Sequence, residues 1–259
     1  MTDVRIEDRG RVRTITLDRP ASRNGLTQDI ALQLAHAVAG ATSANAIVLA
    51  GANGAFCSGL DLKDAMEKGV RPGPELRTAM GETFHALIRA LRSSGVPTIA
   101  AVDGPAVGFG CDLALACDLR IVSDRATFGE VFVKRGLMPD GGSTFLLPRI
   151  VGLGRALELF FTGDMIDANE ALRIGLANKL YPSDALDAEV GKLADRFAAG
   201  PPLAYEALKN AVYDSLDEAS LSRALDREAD GQMTLLASTD FAEGVAAFLE
   251  KRAPKFTGQ

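Results

Sequence analysis

Two glycine-rich segments constrain this chain more than anything else in it: Ala55-Phe56-Cys57-Ser58-Gly59-Leu60-Asp61-Leu62 and Gly104-Pro105-Ala106-Val107-Gly108-Phe109-Gly110-Cys111-Asp112. Each follows a short apolar run of strand character, residues 46–50 and 98–102, and each leads into a helix-like segment. Glycines at such junctions permit backbone conformations closed to other residues and let the chain approach a ligand closely. A helix start also presents unpaired N–H groups to negative charge. Two such junctions converging on one oxygen make an oxyanion hole, which points to acyl chemistry through an enolate.

The surrounding pattern is α/β. Residues 4–7 and 11–17 alternate about Asp8-Arg9-Gly10, which predicts a hairpin. Thr27 is placed to cap a helix over 28–41. A polar loop at 68–74 precedes one long helix over 75–94, and strands are expected at 119–122 and 126–128. Helices follow at 141–150, 155–162 and 168–174, then a short strand at 179–181 and a helix over 185–199 capped by Ser183. Beyond residue 200 the pattern is nearly all helical, with breaks at Pro201-Pro202 and at 216–220. Strand–strand–helix units giving way to helices alone predict a spiral core over 1–199 and a helical region over 200–259.

Composition excludes several classes. With 259 residues, 47% of them hydrophobic, the chain can bury a full core. The net charge of -6 and the lack of any basic run point away from nucleic acid. No apolar stretch reaches the roughly 20 residues that span a bilayer. Met1-Thr2-Asp3-Val4-Arg5 contains no apolar leader, and three cysteines (Cys57, Cys111, Cys117) form no disulfide framework; a cytoplasmic, reducing setting is expected. Metal-ligand spacings are missing, so no metal is expected. His36 and His85 fall inside predicted helices, which argues against histidine chemistry, and no Gly-x-Ser-x-Gly elbow supports a hydrolase.

These segments, together with Leu17-Asp18-Arg19-Pro20, Arg23-Asn24-Gly25-Leu26, Ala116-Cys117-Asp118-Leu119, Phe128-Gly129, 136–142, 170–177 and Lys251-Arg252-Ala253-Pro254-Lys255-Phe256, resemble the crotonase superfamily along essentially the whole chain. The resemblance implies a crotonase-like spiral of ββα units, a C-terminal helical region that trimerises, often a hexamer built from two trimers, and a coenzyme A thioester as substrate without a prosthetic group. By position it makes the backbone N–H groups of Leu60 and Phe109 the oxyanion donors. Arg23, Ala55, Cys57, Ser58, Asp61 and Lys63 would line the coenzyme A site, with Lys255 reaching it from a neighbouring subunit. Asp61 also reads as loop support and Cys57 as a small packing residue.

The carboxylates decide between reactions. Hydratases of this family resemble one another in using two glutamates to handle water. Asp112 stands at the first position and Phe132, which cannot titrate, at the second. Glu130 lies two residues earlier and, on a strand, would share the facing of Phe132. Asp140, in Pro139-Asp140-Gly141-Gly142, matches an acidic position that enoyl-CoA, dienoyl-CoA and ring-opening isomerases of the family resemble in using as a proton shuttle. Pro-Asp-Gly is also a common turn, and Asp a common helix cap; Asp112 reads equally as a residue that satisfies first-turn N–H groups. The favoured reading is a double-bond isomerase with Asp140, Asp112, Leu60 and Phe109 as its machinery. A hydratase and a non-catalytic acyl-CoA-binding protein are the alternatives.

Overall fold

The computed structural model describes residues 3–259; Met1 and Thr2, part of the stretch read as lacking a leader, lie outside them. The hairpin forms as β1 (Val4–Arg9) and β2 (Val12–Leu17), paired antiparallel from Val4–Leu17 to Arg9–Val12. Helix α1 (Gln28–Ala39) starts where Thr27 Oγ1 accepts from the Ile30 N–H at 3.3 Å. Strand β3 (Ala46–Gly51) follows, then α2 (Leu62–Glu67), α3 (Pro74–Glu82), α4 (Phe84–Arg92) and β4 (Thr98–Val102). The one long helix expected over 75–94 is therefore two. Thr83 back-bonds through Oγ1 to the Ala79 carbonyl at 2.7 Å and takes φ −113°, ψ −84°, which breaks the helix there.

From β4 the chain winds as a spiral between two sheets. Strand β5 (Pro105–Val107), α5 (Phe109–Ala116), β6 (Leu119–Ser123) and β7 (Thr127–Gly129) come first. Then come α6 (Ser143–Val151), α7 (Leu153–Thr162), β8 (Ile166–Asp167), α8 (Ala168–Arg173) and β9 (Lys179–Tyr181). The strands form a six-stranded sheet, ordered β1-β2-β3-β4-β6-β9, and a three-stranded one, β5-β7-β8, and beyond β4 the chain passes back and forth between them. This is the expected α/β spiral of ββα units. Strands β2, β3, β4, β6 and β9 are mutually parallel, so their carboxyl ends open on one side, where the glycine segments lie.

Both faces of the large sheet are covered. Ile47 and Leu49 face the main core with Leu34, Phe56 and Leu87; Ala46 and Val48 face a smaller cluster under α9 (Leu186–Ala198), with Val190 and Ala194. That two-sided burial explains the unbroken apolar strands. Ser183 does not cap α9: its N–H donates to Asp124 Oδ1 at 3.2 Å, and Ala185 precedes the helix without a side-chain cap.

Helices α10 (Pro202–Ser215), α11 (Leu221–Leu236) and α12 (Thr239–Glu250) form the C-terminal region. Helix α10 is tied to the core through Asp118, whose Oδ2 accepts from Lys209 Nζ at 2.9 Å and from the Thr98 N–H at 2.7 Å. Tyr213 donates to the same carboxylate, and Lys209 also reaches the Leu91 and Val96 carbonyls at 3.0 and 3.3 Å. Helix α11 buries no residue, and Leu221, Phe248 and Leu249 are each more than 70% exposed. Among the described residues no helix is long and apolar enough to cross a membrane.

Candidate active site

Three segments are laced together at the carboxyl ends of β3 and β4. The Leu26 N–H donates to the Gly59 carbonyl and the Asp61 N–H to the Leu26 carbonyl, both at 2.8 Å. Cys57 and Val107 exchange similar bonds with the second segment, Cys57 N–H to the Pro105 carbonyl at 3.0 Å and Val107 N–H to the Cys57 carbonyl at 2.9 Å. Asn24, buried with φ +61°, pins the turn from below: its amide donates to the Ala52 and Ala55 carbonyls at 2.9 and 2.6 Å.

Gly59 makes the approach possible. At φ +88°, a side chain there would start 2.7 Å from the Val107 carbonyl oxygen and 3.3 Å from the Phe109 nitrogen. The amides of Leu60 and Phe109 thus belong to adjoining backbone, and among the described residues neither donates a hydrogen bond. Phe109 opens α5, so its N–H is one of the helix's unpaired donors. Two free, preorganised N–H groups side by side suit a developing oxyanion.

The wall beside these donors is aromatic. The Phe109 ring meets Phe84 edge-on, centroids 5.2 Å apart. Phe132 brings its ring to 3.8 Å from where a side chain on Gly108 would start, and Val131 to 3.9 Å. Residues Val131–Arg135 form a 3₁₀ turn, not a strand, so Glu130 and Phe132 do not share a facing. Glu130 instead goes inward, 2% exposed, with neither carboxyl oxygen hydrogen-bonded among the described residues.

Asp112 is fully buried one turn along α5 from Phe109. Its Oδ2 accepts from the Gly141 N–H at 3.1 Å, and Oδ1 has no partner among the described residues. Gly141 is required here, because a side chain would begin 2.5 Å from the Asp112 side chain. Burial, with Asp140 adding like charge and the Ser143 and Gly141 groups opposing, pushes the Asp112 carboxyl up to about 7. Burial and then the neighbouring Asp112 charge push Glu130 well above the usual carboxylate range.

Asp140 lies at the mouth, open to solvent yet ringed by enough protein that desolvation is the first cause of its raised pKa; His85 opposes it. His85 Nε2 donates to the Asp140 carbonyl at 2.9 Å. The histidine that the helical pattern set aside therefore borders the site, because the break at Thr83 turns α4 toward the 139–142 turn. Neither aspartate caps the helix weighed for it. Helix α6 is preceded by Gly142, not capped by Asp140, and Asp112 accepts from Gly141 rather than from the first turn of α5.

The residues expected around coenzyme A divide by geometry. Arg23 is exposed at φ +51°, its carbonyl accepting from the Ser58 N–H at 3.1 Å, while Ser58 Oγ donates to the Ser22 carbonyl at 2.8 Å. Ala55 is buried beside them, and Lys63 is exposed on α2 near Glu67, at 3.8 Å. The Cys57 side chain is wholly buried, its thiol pushed up to about 12 by desolvation. Asp61 is occupied in the loop: it pairs with Arg19 at 3.2 Å and accepts from the Asp64 N–H at the start of α2. Lys255 stands apart, since Arg11, at the amino end of β2, donates to the neighbouring Phe256 carbonyl at 3.2 Å. Within one chain it lies at the opposite end of the sheet from the glycine segments.

The chain is similar to known proteins along essentially its whole length. The sequence model of the enoyl-CoA hydratase/isomerase family matches residues 7–259. A protein of Rhodobacter capsulatus named as a probable enoyl-CoA hydratase is 42% identical over 246 residues, 95% of this chain and 94% of the relative. The 1,2-epoxyphenylacetyl-CoA isomerase of Escherichia coli is 36% identical over 251 residues, covering 96% and 95%. The crystal structure of an enoyl-CoA hydratase from Bacillus anthracis superposes with a TM-score of 0.93 at 29% identity over 100% of both chains.

Proposed function

The chain belongs to the enoyl-CoA hydratase/isomerase family, within the crotonase superfamily, and from that premise we propose that it moves a double bond along the acyl chain of a coenzyme A thioester. The observation that carries this reading is the Phe132 ring beside Gly108, next to the oxyanion donors, with Asp140 as the carboxylate open to the mouth. An apolar ring at that position, where a second water-handling carboxylate would stand, favours proton transfer by the one open carboxylate.

In this reading the Leu60 and Phe109 N–H groups hold the thioester oxygen of a 3-enoyl substrate. The Asp140 carboxylate takes a proton from C2, and the electron pair moves onto the oxygen as a dienolate. The same proton is delivered to C4, and the double bond shifts from C3–C4 to C2–C3. A raised pKa makes Asp140 a stronger base than a free aspartate, and each oxyanion donor is worth about 3 kcal/mol in the transition state. Asp112 stands behind as a second acid. Arg23 and Lys63 suit the coenzyme A phosphates, and Lys255 of an adjacent copy completes that site in a trimer or pair of trimers joined through the exposed apolar side chains of α10–α12.

Hydration is the second reading. The pairing of Asp112 with Glu130 in one place, and the hydratase names among the relatives, favour it. The deciding experiment incubates the protein separately with a trans-3-enoyl-CoA and a trans-2-enoyl-CoA in deuterated water, followed by chromatography with mass detection. Conversion of the 3-enoyl to the 2-enoyl thioester without added water is the expected result. Gain of one water by the 2-enoyl substrate, with no isomerisation, overturns the proposal in favour of hydration. Saturable binding with neither conversion would leave a binding protein.

A further inference from the structure

Asp140 stands on a stretch with little of its own to hold it. Residues 137–142 take no regular secondary structure, and among the described residues no N–H or carbonyl group of 138–141 bonds to other backbone. What holds the stretch is a single peptide unit, gripped at both ends by side chains. The Asp140 carbonyl accepts from His85 Nε2 at 2.9 Å, and the Gly141 N–H of the same peptide donates to Asp112 Oδ2 at 3.1 Å. In a trans peptide these two groups point in opposite directions, so His85 of α4 and Asp112 of α5 hold the unit from opposite sides.

Helix α4 meets the turn a second time through Ile88, which lies 3.7 Å from where a side chain on Gly142 would start. The residue before His85 reaches the other half of the site. Phe84 is the ring that meets Phe109, whose N–H is one of the two oxyanion donors. Successive residues at the start of α4 therefore touch the residue that would hold the oxygen and the residue that would move the proton. The break at Thr83 is what puts them there.

We propose that His85 is a positioning residue: by donating from Nε2 to the Asp140 carbonyl it fixes the Asp140–Gly141 peptide, and with it the place of the Asp140 carboxylate relative to the oxyanion donors. A carbonyl only accepts, so the neutral ring carries its hydrogen on Nε2 and not on Nδ1. The role needs no proton transfer through the ring. Its value to the reaction is geometric, because one carboxylate must reach two carbons of the acyl chain in turn, and lost alignment at a reacting carbon costs rate. The grip of the oxyanion donors on the thioester does not pass through His85, so the effect falls on kcat and not on KM. The inference rests on the reading of Asp140 as the proton shuttle.

The test compares three variants of the full-length protein. His85→Leu removes the donor, His85→Asn keeps an amide too short to reach, and His85→Gln places an N–H where Nε2 stands. The first two should lower kcat for a 3-enoyl thioester about tenfold with KM unchanged, and His85→Gln should restore most of the rate. Hydrogen–deuterium exchange read by mass spectrometry, which needs no substrate, should show the Gly141 amide exchanging faster in the first two and as in wild type in the third. A kcat within twofold of wild type in His85→Leu overturns the proposal. So does a glutamine variant no better than leucine, which would make the ring's bulk responsible, and so does unchanged exchange at Gly141. Should the leucine variant not fold, the asparagine and glutamine pair decides alone. If exchange responds as expected while wild type isomerises no 3-enoyl thioester, the tether stands and the isomerase reading falls.

Discussion

Asp112 lies in the first turn of the short helix α5 and Asp118 just beyond its end, and their surroundings are opposite. Asp118 is saturated: Thr98 supplies its N–H and its hydroxyl at 2.7 and 2.9 Å, Lys209 an ammonium at 2.9 Å, and Tyr213 a hydroxyl. Arg92 stacks over the Tyr213 ring at 3.3 Å, which adds to the positive surroundings. Asp112 has one backbone amide and a second, unsatisfied carboxyl for a neighbour. A buried acid given every partner holds helices in place. A buried acid denied them is free to change its protonation, which is what proton chemistry requires.

The contrast is breakable by substitution. The largest effect is expected outside the buried pair, at the mouth: Asp140→Asn should lower isomerisation about 10³-fold, roughly 4 kcal/mol of barrier, with the melting temperature little changed. Steady-state kinetics beside a thermal scan check both halves. Lys209→Met should do the reverse. Removing the cation from a buried pair costs about 3 kcal/mol of stability, read by chemical denaturation, while kcat per folded molecule is retained.

Asp112→Asn sharpens the comparison through pH. A carboxyl that ionises near 7 when folded and near 4 when unfolded contributes stability below pH 4 that is lost as pH rises through 7. By that linkage Asp112 alone accounts for about 4 kcal/mol of stability lost across that window in denaturation curves, and the asparagine variant should lose correspondingly less. The smallest effect is expected at Tyr213→Phe, which removes one hydrogen bond from Asp118 for about 1 kcal/mol and leaves the pH dependence as it was.

Much of the site was legible in the chain because glycine junctions, the Thr27 cap and apolar strands are local signals. Leu60 and Phe109 follow from the junctions plus the resemblance, and their backbone role tolerates any side chain. Three features were not legible, each for a physical reason. The break at Thr83 depends on a hydroxyl turning back to its own helix, which the helical pattern of 75–94 conceals. His85 borders the site only because of that break. Glu130 enters a 3₁₀ turn and not the strand on which it would have shared the facing of Phe132, and an alternating pattern cannot signal such a turn. Asp118 was visible within Ala116-Cys117-Asp118-Leu119, but its ammonium partner lies 91 residues further on, beyond any local pattern.

That separation bears on how the chain is made. The amino terminus leaves the ribosome first, so the sheet can assemble through β9 while residue 209 is still inside the exit tunnel. During that interval Asp118 has Thr98 but lacks the ammonium that is hydrogen-bonded to it in the finished fold. Arrival of α10 supplies that ammonium, and a stop codon placed before residue 209 would yield a chain whose spiral is complete in sequence and less stable than the full fold.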